Sequence, residues 1–300
     1  MSSGRAFVTG GDGFAGRFVV AELGDEAVAP HRSELDLLEA GAVRAAIAAA
    51  APASVFHLAA HASVASSWRD PALVLRENVE MTANLLEAVR VEVPDAVVVF
   101  ASSAEIYGPP SALPIEELAP LRPQNPYAVS KAACDLLAGQ YADAHGLHIV
   151  RVRGFNQAGP GQSDDYVVGT ITRQVAEAEA AGSHEALVRT GNPDAARDFI
   201  DVRDAARAYI AAAAAPAGAY NACSGTATSV RQLVELAAGA TRIPVRHELD
   251  PERERTSDVS KVLGSAERLT AATGWTPAIG LERTVADAIE AWRAEFASAT

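Results

Sequence analysis

Thr9-Gly10-Gly11-Asp12-Gly13-Phe14-Ala15-Gly16 is the stretch from which the rest of this chain can be read. Before it stands Ala6-Phe7-Val8, with the apolar pattern of a buried parallel strand. After it, residues 14–23 read as a helix. Gly10, Gly13 and Gly16 are spaced three apart across that strand-to-helix junction. Glycine there permits a tight turn and lets main-chain N–H groups approach a pyrophosphate, whose charge the helix N-terminus favours. Alone, the pattern also fits an ordinary turn. At the first strand–helix junction it predicts dinucleotide binding.

Working outward, short apolar runs predict strands at 27–29, 54–58, 96–100 and 147–150. Helical spacing predicts helices at 38–50 (ended by Pro52), 71–91 and 127–145. The last third is less regular, with helices expected near 168–181 and 230–238 and a strand–helix piece near 199–215. Strands alternating with helices predict right-handed crossovers and a doubly wound parallel sheet. The expected fold is therefore α/β: a Rossmann domain over 1–160 and 198–223, with a smaller α/β substrate-binding domain over 161–197 and 224–300.

Composition narrows the partners. The 300 residues carry 25 Lys+Arg against 38 Asp+Glu, a net charge of −13, which disfavours nucleic acid and anionic membranes. The two cysteines, Cys134 and Cys223, have no metal-ligand spacing, so no metal site and a reducing, cytoplasmic setting are expected. No apolar run reaches membrane-spanning length, and the N-terminus lacks a signal-peptide core.

The segment after the second strand should meet the adenosine ribose. It reads Ala29-Pro30-His31-Arg32-Ser33, without an acid. Arg32 can pair with a 2′-phosphate, which favours NADP(H). As a solvated surface arginine it would leave NAD(H) possible. Asp36 and Leu37 follow at a place where the chain could meet adenine.

A second constellation carries acid–base chemistry. Tyr127 and Lys131 are four apart on an expected helix and share a face. A free tyrosine, with a pKa of about 10, is a poor acid near neutrality. A nearby ammonium would lower that value and let the pair exchange a proton with a carbonyl or alcohol oxygen. Ser102 and Ser103 follow the strand 96–100, at the carboxyl end where open α/β sheets place ligands.

With these residues on the page, further stretches complete a resemblance. They are His57-Leu58-Ala59-Ala60, Ser102-Ser103-Ala104-Glu105-Ile106-Tyr107-Gly108, Asn125-Pro126-Tyr127-Ala128-Val129-Ser130-Lys131, Phe155-Asn156, Gly159-Pro160-Gly161-Gln162, Arg197-Asp198-Phe199 and Thr273-Gly274-Trp275-Thr276-Pro277. From Phe7 to Trp292 the chain resembles the extended short-chain dehydrogenase/reductases that act on nucleotide-activated sugars. Within that family, Gly191-Asn192-Pro193-Asp194-Ala195-Ala196-Arg197 and Asp250-Pro251-Glu252-Arg253-Glu254-Arg255 are similar to the GDP-6-deoxy-4-keto-D-mannose reductases.

The resemblance implies catalytic roles for Ser103, Tyr127 and Lys131, with Glu105 beside them. It sets Gly10, Gly13, Phe14, Ala15, Leu58, Ala59, Ala60, Tyr127 and Lys131 against the cofactor. It sets Ser103, Glu105 and Asn156 against a GDP-sugar, with Val188 at the guanine edge. A sugar diphosphate needs cationic clamps, for which Arg197, Arg253 and Arg255 are the candidates. The implied reaction is hydride transfer to a C4 ketone, with Tyr127 as proton donor. The helices 71–91 and 127–145 are implied to form a homodimer's four-helix interface.

Departures keep other readings open. Gly169-Thr170 replaces a proline-containing stretch that bears on sugar contacts. Ala104 stands where thymidine-type dehydratases usually carry Asp, which weakens a 4,6-dehydratase, while Glu105 fits both readings. His57 and His61 are expected to be structural. A 4-epimerase with tightly held NAD, a GDP-mannose 4,6-dehydratase and a dinucleotide sensor without catalysis are the alternatives.

Overall fold

The computed structural model describes residues 4–251 and 259–298. Its first half runs β1 (Ala6–Thr9), α1 (Gly16–Leu23), β2 (Ala27–Val28), α2 (Ala40–Ala50), β3 (Ser54–His57), α3 (Val64–Arg69), α4 (Pro71–Glu92), β4 (Val97–Ser103), α5 (Pro126–His145) and β5 (Ile149–Gly154). There follow β6 (Asn156–Ala158), α6 (Val167–Ala180), β7 (Ala186–Thr190), β8 (Ala196–Asp201), α7 (Val202–Ala212), β9 (Gly218–Ala222), β10 (Ala227–Ser229), α8 (Val230–Gly239), β11 (Val245–Leu249), α9 (Glu267–Thr273) and α10 (Leu281–Ser298).

Six parallel strands form the main sheet in the order β2-β1-β3-β4-β5-β9. Neighbouring residues on each strand bury opposite faces, as the two-residue period requires. Val8, Phe56, Val99 and Val150 join one core with Val19 of α1 and the alanines of α7. Phe7, Val55, Val98 and Ile149 join the other, with α2, α4 and α5. The strand order reverses between β1 and β3, where Thr9 is level with His57. Such a reversal opens a crevice at the carboxyl ends of the strands.

The second lobe is built on a core of α6, α8 and α10 with β7 and β8. Two small sheets edge it, β10-β8-β6 and β11-β7. Leu269 of α9 and Trp275, from the segment 224–300, pack instead on the first core.

Several elements differ from the sequence reading. Helix α1 starts at Gly16, which leaves Phe14 and Ala15 in the turn. Strand β4 runs on through Ser103, and β5 starts at Ile149 and continues to Gly154. An apolar-run reading stops short at both because the extensions carry polar residues that are satisfied inside. Helix α2 ends in a left-handed Ala51 (φ 43°) ahead of Pro52. Helix α10 and strands β7 and β11 were not expected.

Candidate active site

The glycine turn is fixed by close main-chain packing. Gly10 has φ +70°, and a Cβ there would lie 2.7 Å from the Ala59 nitrogen. A Cβ on Gly16 would fall 1.9 Å from the Gly10 carbonyl oxygen, which already accepts from Gly13 N at 3.0 Å. Only glycine permits this approach of α1 to β1. Thr9 Oγ1 is 2.7 Å from His57 Nδ1, and His57 Nε2 is 3.2 Å from Thr82 Oγ1. Burial, then the Lys131 charge, pushes His57 down to about 3, so it stands neutral as a brace between β1, β3 and α4.

Beside this turn, Leu58, Ala59 and Ala60 are half-buried, as are Phe14 and Ala15. Gly13 is exposed ahead of the α1 N-terminus. A main-chain cradle that a Cβ would fill, facing a helix start, fits a dinucleotide pyrophosphate. Arg32 is exposed after β2, and the neighbouring His31 Nε2 is 3.2 Å from Asp12 of the glycine turn. Asp36 is exposed but bends its carboxylate onto Leu38 N at 3.0 Å. Leu37 is buried in the core with residues of α2 and α4, and its carbonyl accepts from Asn84 at 2.9 Å.

The second constellation is assembled by a helix cap. Asn125 Oδ1 accepts from Ala128 N at 2.8 Å, with Pro126 at the first helical position, so α5 begins at a fixed point and Tyr127 sits in its first turn. The same Asn125 donates to Glu105 Oε2 at 3.0 Å. Ser103 Oγ accepts from Glu105 N at 3.2 Å and faces the Tyr127 hydroxyl. Ser103, Glu105 and Tyr127 therefore meet at the carboxyl end of β4.

Electrostatics correct one expectation. Burial pushes Tyr127 above its ordinary value, and the Ser103 hydroxyl is the main opposing influence. Lys131, 4% exposed, donates to the Ala101 carbonyl and lies 4.5 Å from the Phe100 ring centroid. The ammonium is engaged on β4, and burial is the larger influence on the tyrosine. Lys131 is itself lowered by burial, against which Cys134 and Asp135 act.

On the substrate side, half-buried Asn156 opens β6, level with Phe199 of β8. Arg197 Nη1 donates to the carbonyls of Ala196 (2.9 Å) and Val259 (2.6 Å), so it also braces the chain beside the cleft. Val188, expected at the guanine edge, is instead fully buried in the second-lobe core, where it pairs with His247 of β11. Arg253 and Arg255 lie outside the described residues. A cavity of about 660 Å³ lies between Pro109–Leu113, Gln124 and the segment Val259–Lys261.

The sequence reading missed Gln124 and Lys261 on this wall, and Tyr166, whose hydroxyl reaches toward the Ala62 carbonyl at 3.4 Å. It also missed the buried Asp135, one turn beyond Lys131. An acid four residues after the lysine, with Arg-x-Arg at 151–153, was the available signal. Among the described residues no group of His, Cys, Asp and Glu could hold a metal ion.

Relatives agree with this geometry. GDP-6-deoxy-D-mannose reductase of Pseudomonas aeruginosa is 36% identical over 297 residues, 96% of this chain and 97% of that protein. The structure of RMD from Pseudomonas aeruginosa complexed with NADPH matches with TM-score 0.89 and 34% identity, over 98% of this chain and 100% of that one. UDP-glucose 4-epimerase from Thermus thermophilus, in complex with NAD, matches with TM-score 0.83 and 30% identity, over 96% and 99%. A family model described as GDP-mannose 4,6 dehydratase matches residues 29–288, and the chain belongs to this family within the extended short-chain dehydrogenase/reductases.

Proposed function

We propose that the protein reduces the C4 ketone of GDP-4-keto-6-deoxy-D-mannose to give GDP-D-rhamnose, using NADPH in preference to NADH. The observation that carries this reading is the convergence of Ser103, Glu105 and Tyr127 at the end of β4, one helical turn from Lys131. The relative bound to NADPH and the reductase of similar length support the same substrate and cofactor.

When bound, a reduced nicotinamide supplies a hydride to the ketone carbon. The glycine turn, with Phe14, Ala15 and the Leu58–Ala60 stretch, holds the dinucleotide, and Arg32 meets its 2′-phosphate. Ser103 Oγ accepts from the Glu105 main chain, and its hydroxyl turns its proton from Tyr127 to the ketone oxygen when the substrate is bound. Tyr127, kept protonated by burial, donates the proton that completes the alcohol. Lys131 holds the ribose. Asn156 and Arg197, with Arg253 and Arg255, meet the sugar diphosphate.

A second reading, GDP-mannose 4,6-dehydratase, is compatible with Glu105, whose carboxylate is close enough to Tyr127 to raise it but which suits a reductase equally. Against it stands Ala104, buried and without an acid. The assay is direct: purified protein, NADPH or NADH, and GDP-4-keto-6-deoxy-mannose, followed at the nicotinamide absorbance band. Rapid loss with NADPH supports the reductase. A keto sugar made from GDP-mannose with no net redox change would replace it by the dehydratase.

The nucleotide sugar is assigned to the lobe of 161–197 and 224–300, and the dinucleotide to 1–160 and 198–223. We further propose a homodimer through α4 and α5. Exposed Trp68 (61%), Leu75 (41%), Val129 (42%) and Leu136 (61%) supply its apolar face. Two buried, unpaired cysteines fit work in the reducing cytoplasm.

A further inference from the structure

Three consecutive residues of β4 grip three turns of α5. Ser103 faces Tyr127, the Ala101 carbonyl accepts from Lys131, and Ser102 Oγ donates to Asp135 Oδ2 at 2.7 Å. Tyr127, Lys131 and Asp135 are four apart, so they lie along one helical face. The proposed reaction uses the first two and leaves Asp135 without a part.

Asp135 is fully buried. Its Oδ1 accepts from Arg153 Nη2 (2.9 Å) and Arg151 Nη1 (3.1 Å), and its Oδ2 from Arg153 Nε (3.1 Å). Arg153 Nη1 goes on to the Tyr107 hydroxyl (3.0 Å) and the Glu117 carbonyl (2.8 Å). Tyr107 in turn donates to Asn221 Oδ1 at 2.7 Å. One carboxylate thus ties α5 to β4 and β5, to the turn that carries Glu105, and to β9. A carboxylate buried this deeply requires such partners, because losing them leaves an uncompensated charge.

Among the described residues, three elements meet Lys131, and Tyr127, kept protonated by burial, stands one turn before it on the same face. From β3 comes His57, which is neutral. From β4 come the Phe100 ring and the Ala101 carbonyl. From α5 itself come Cys134 and Asp135. Burial pushes the Cys134 thiol up, so it carries no charge near neutrality. Burial also opposes the Asp135 charge, but Arg153, Ser102 and Arg151 together hold its carboxyl below the ordinary value. Asp135 is therefore the anion beside the lysine.

We propose that Asp135 is a positioning residue of this site: it sets α5 against β4 and keeps Lys131 an ammonium, without touching substrate or cofactor. The link to turnover rests on the reductase reading; the coupling of the two charges does not.

The chain holds two lysines, Lys131 and Lys261, so labelling with lysine carrying ¹³C at Cε gives two signals to titrate. In the full-length chain, Asp135→Asn is expected to lower the Lys131 midpoint by about one pH unit, and Asp135→Glu to restore it. The alkaline half-point of kcat moves with the midpoint, while KM for the keto sugar stays within about twofold. A folded Asp135→Asn protein with an unmoved Lys131 midpoint overturns the proposal. Should that variant not fold, Ser102→Ala loosens Asp135 from β4 and must lower the midpoint measurably; no change there also overturns it. A moved midpoint in a chain that never reduces the keto sugar keeps the proposal and removes the reductase reading.

Discussion

At the scale of single residues, the site separates into groups that handle the proton and groups that select ligands. Tyr127 is expected to be the proton donor, so Tyr127→Phe should lower kcat by roughly 10²–10⁴, with NADPH binding retained. Near-full turnover in that variant would remove the assignment. The sign of its pH dependence follows from burial, which raises the tyrosine. A donor must hold its proton, so ketone reduction should persist through neutral pH and fall only on the alkaline side. Arg32 stands exposed after β2, close in sequence to the point where the chain would meet the ribose. Arg32→Ala should weaken NADPH binding by about ten- to hundredfold and leave NADH within about twofold, since a charge-assisted phosphate contact contributes roughly 1.5–3 kcal/mol. Equal loss for both cofactors, measured by quenching of protein fluorescence, would show that Arg32 does not read the phosphate.

Secondary elements turn these residues into a site, and two of them carry predictions. Asn125 both caps α5 and holds Glu105, so Asn125→Ala should cost about 1 kcal/mol of stability and also lower kcat. Thermal unfolding and turnover, measured together, separate this from a purely structural cap, for which kcat at low temperature would be unchanged. His57 gives the second. Its folded value, about 3, lies below the unfolded value near 6.5, so only the unfolded chain binds the proton between them. Stability should therefore fall as pH drops below 6.5. His57→Asn should flatten that slope between pH 6.5 and 5, above the range where most carboxylates titrate; an unchanged slope would deny the buried neutral imidazole. The parallel strands were legible because their apolar runs are buried on both faces. The ends of β4 and β5 were not, since Ser102, Arg151 and Arg153 look like surface residues until Asp135 is seen beside them. Val188 was misplaced for the converse reason: a strand residue's neighbours in sequence do not say which face the lobe buries.

Across the whole molecule, the glycine turn and the alternation of strands with helices were enough to predict the dinucleotide half. The second lobe was harder to read because its core joins residues from 158 to 289, so no local window contains its periodicity. The same difficulty applies to any surface that pairs with another copy, where the partner residues are absent from the window altogether. Val129 and Leu136 are seven apart on α5 and so fall on one stripe, with Leu75 on α4 and Trp68 on α3 also exposed. Leaving these side chains in water is unfavourable, at about 25 cal/mol per Å² of apolar surface. Opposing their burial is the net charge of −13 on each chain, which makes two copies repel. The balance makes association depend on salt: screening weakens the repulsion and leaves the apolar contribution in place. Sedimentation should accordingly give twice the 31.1 kDa chain mass, with tighter association at about 0.5 M than at about 0.05 M salt. Leu136→Glu adds charge to the middle of the stripe and should yield a monomer that still binds NADPH, because Leu136 is exposed while Lys131 and Asp135 of the same helix are buried against β4. A Leu136→Glu protein that stays dimeric, or a wild-type chain that sediments as a monomer at both salt concentrations, would place the interface elsewhere or remove it.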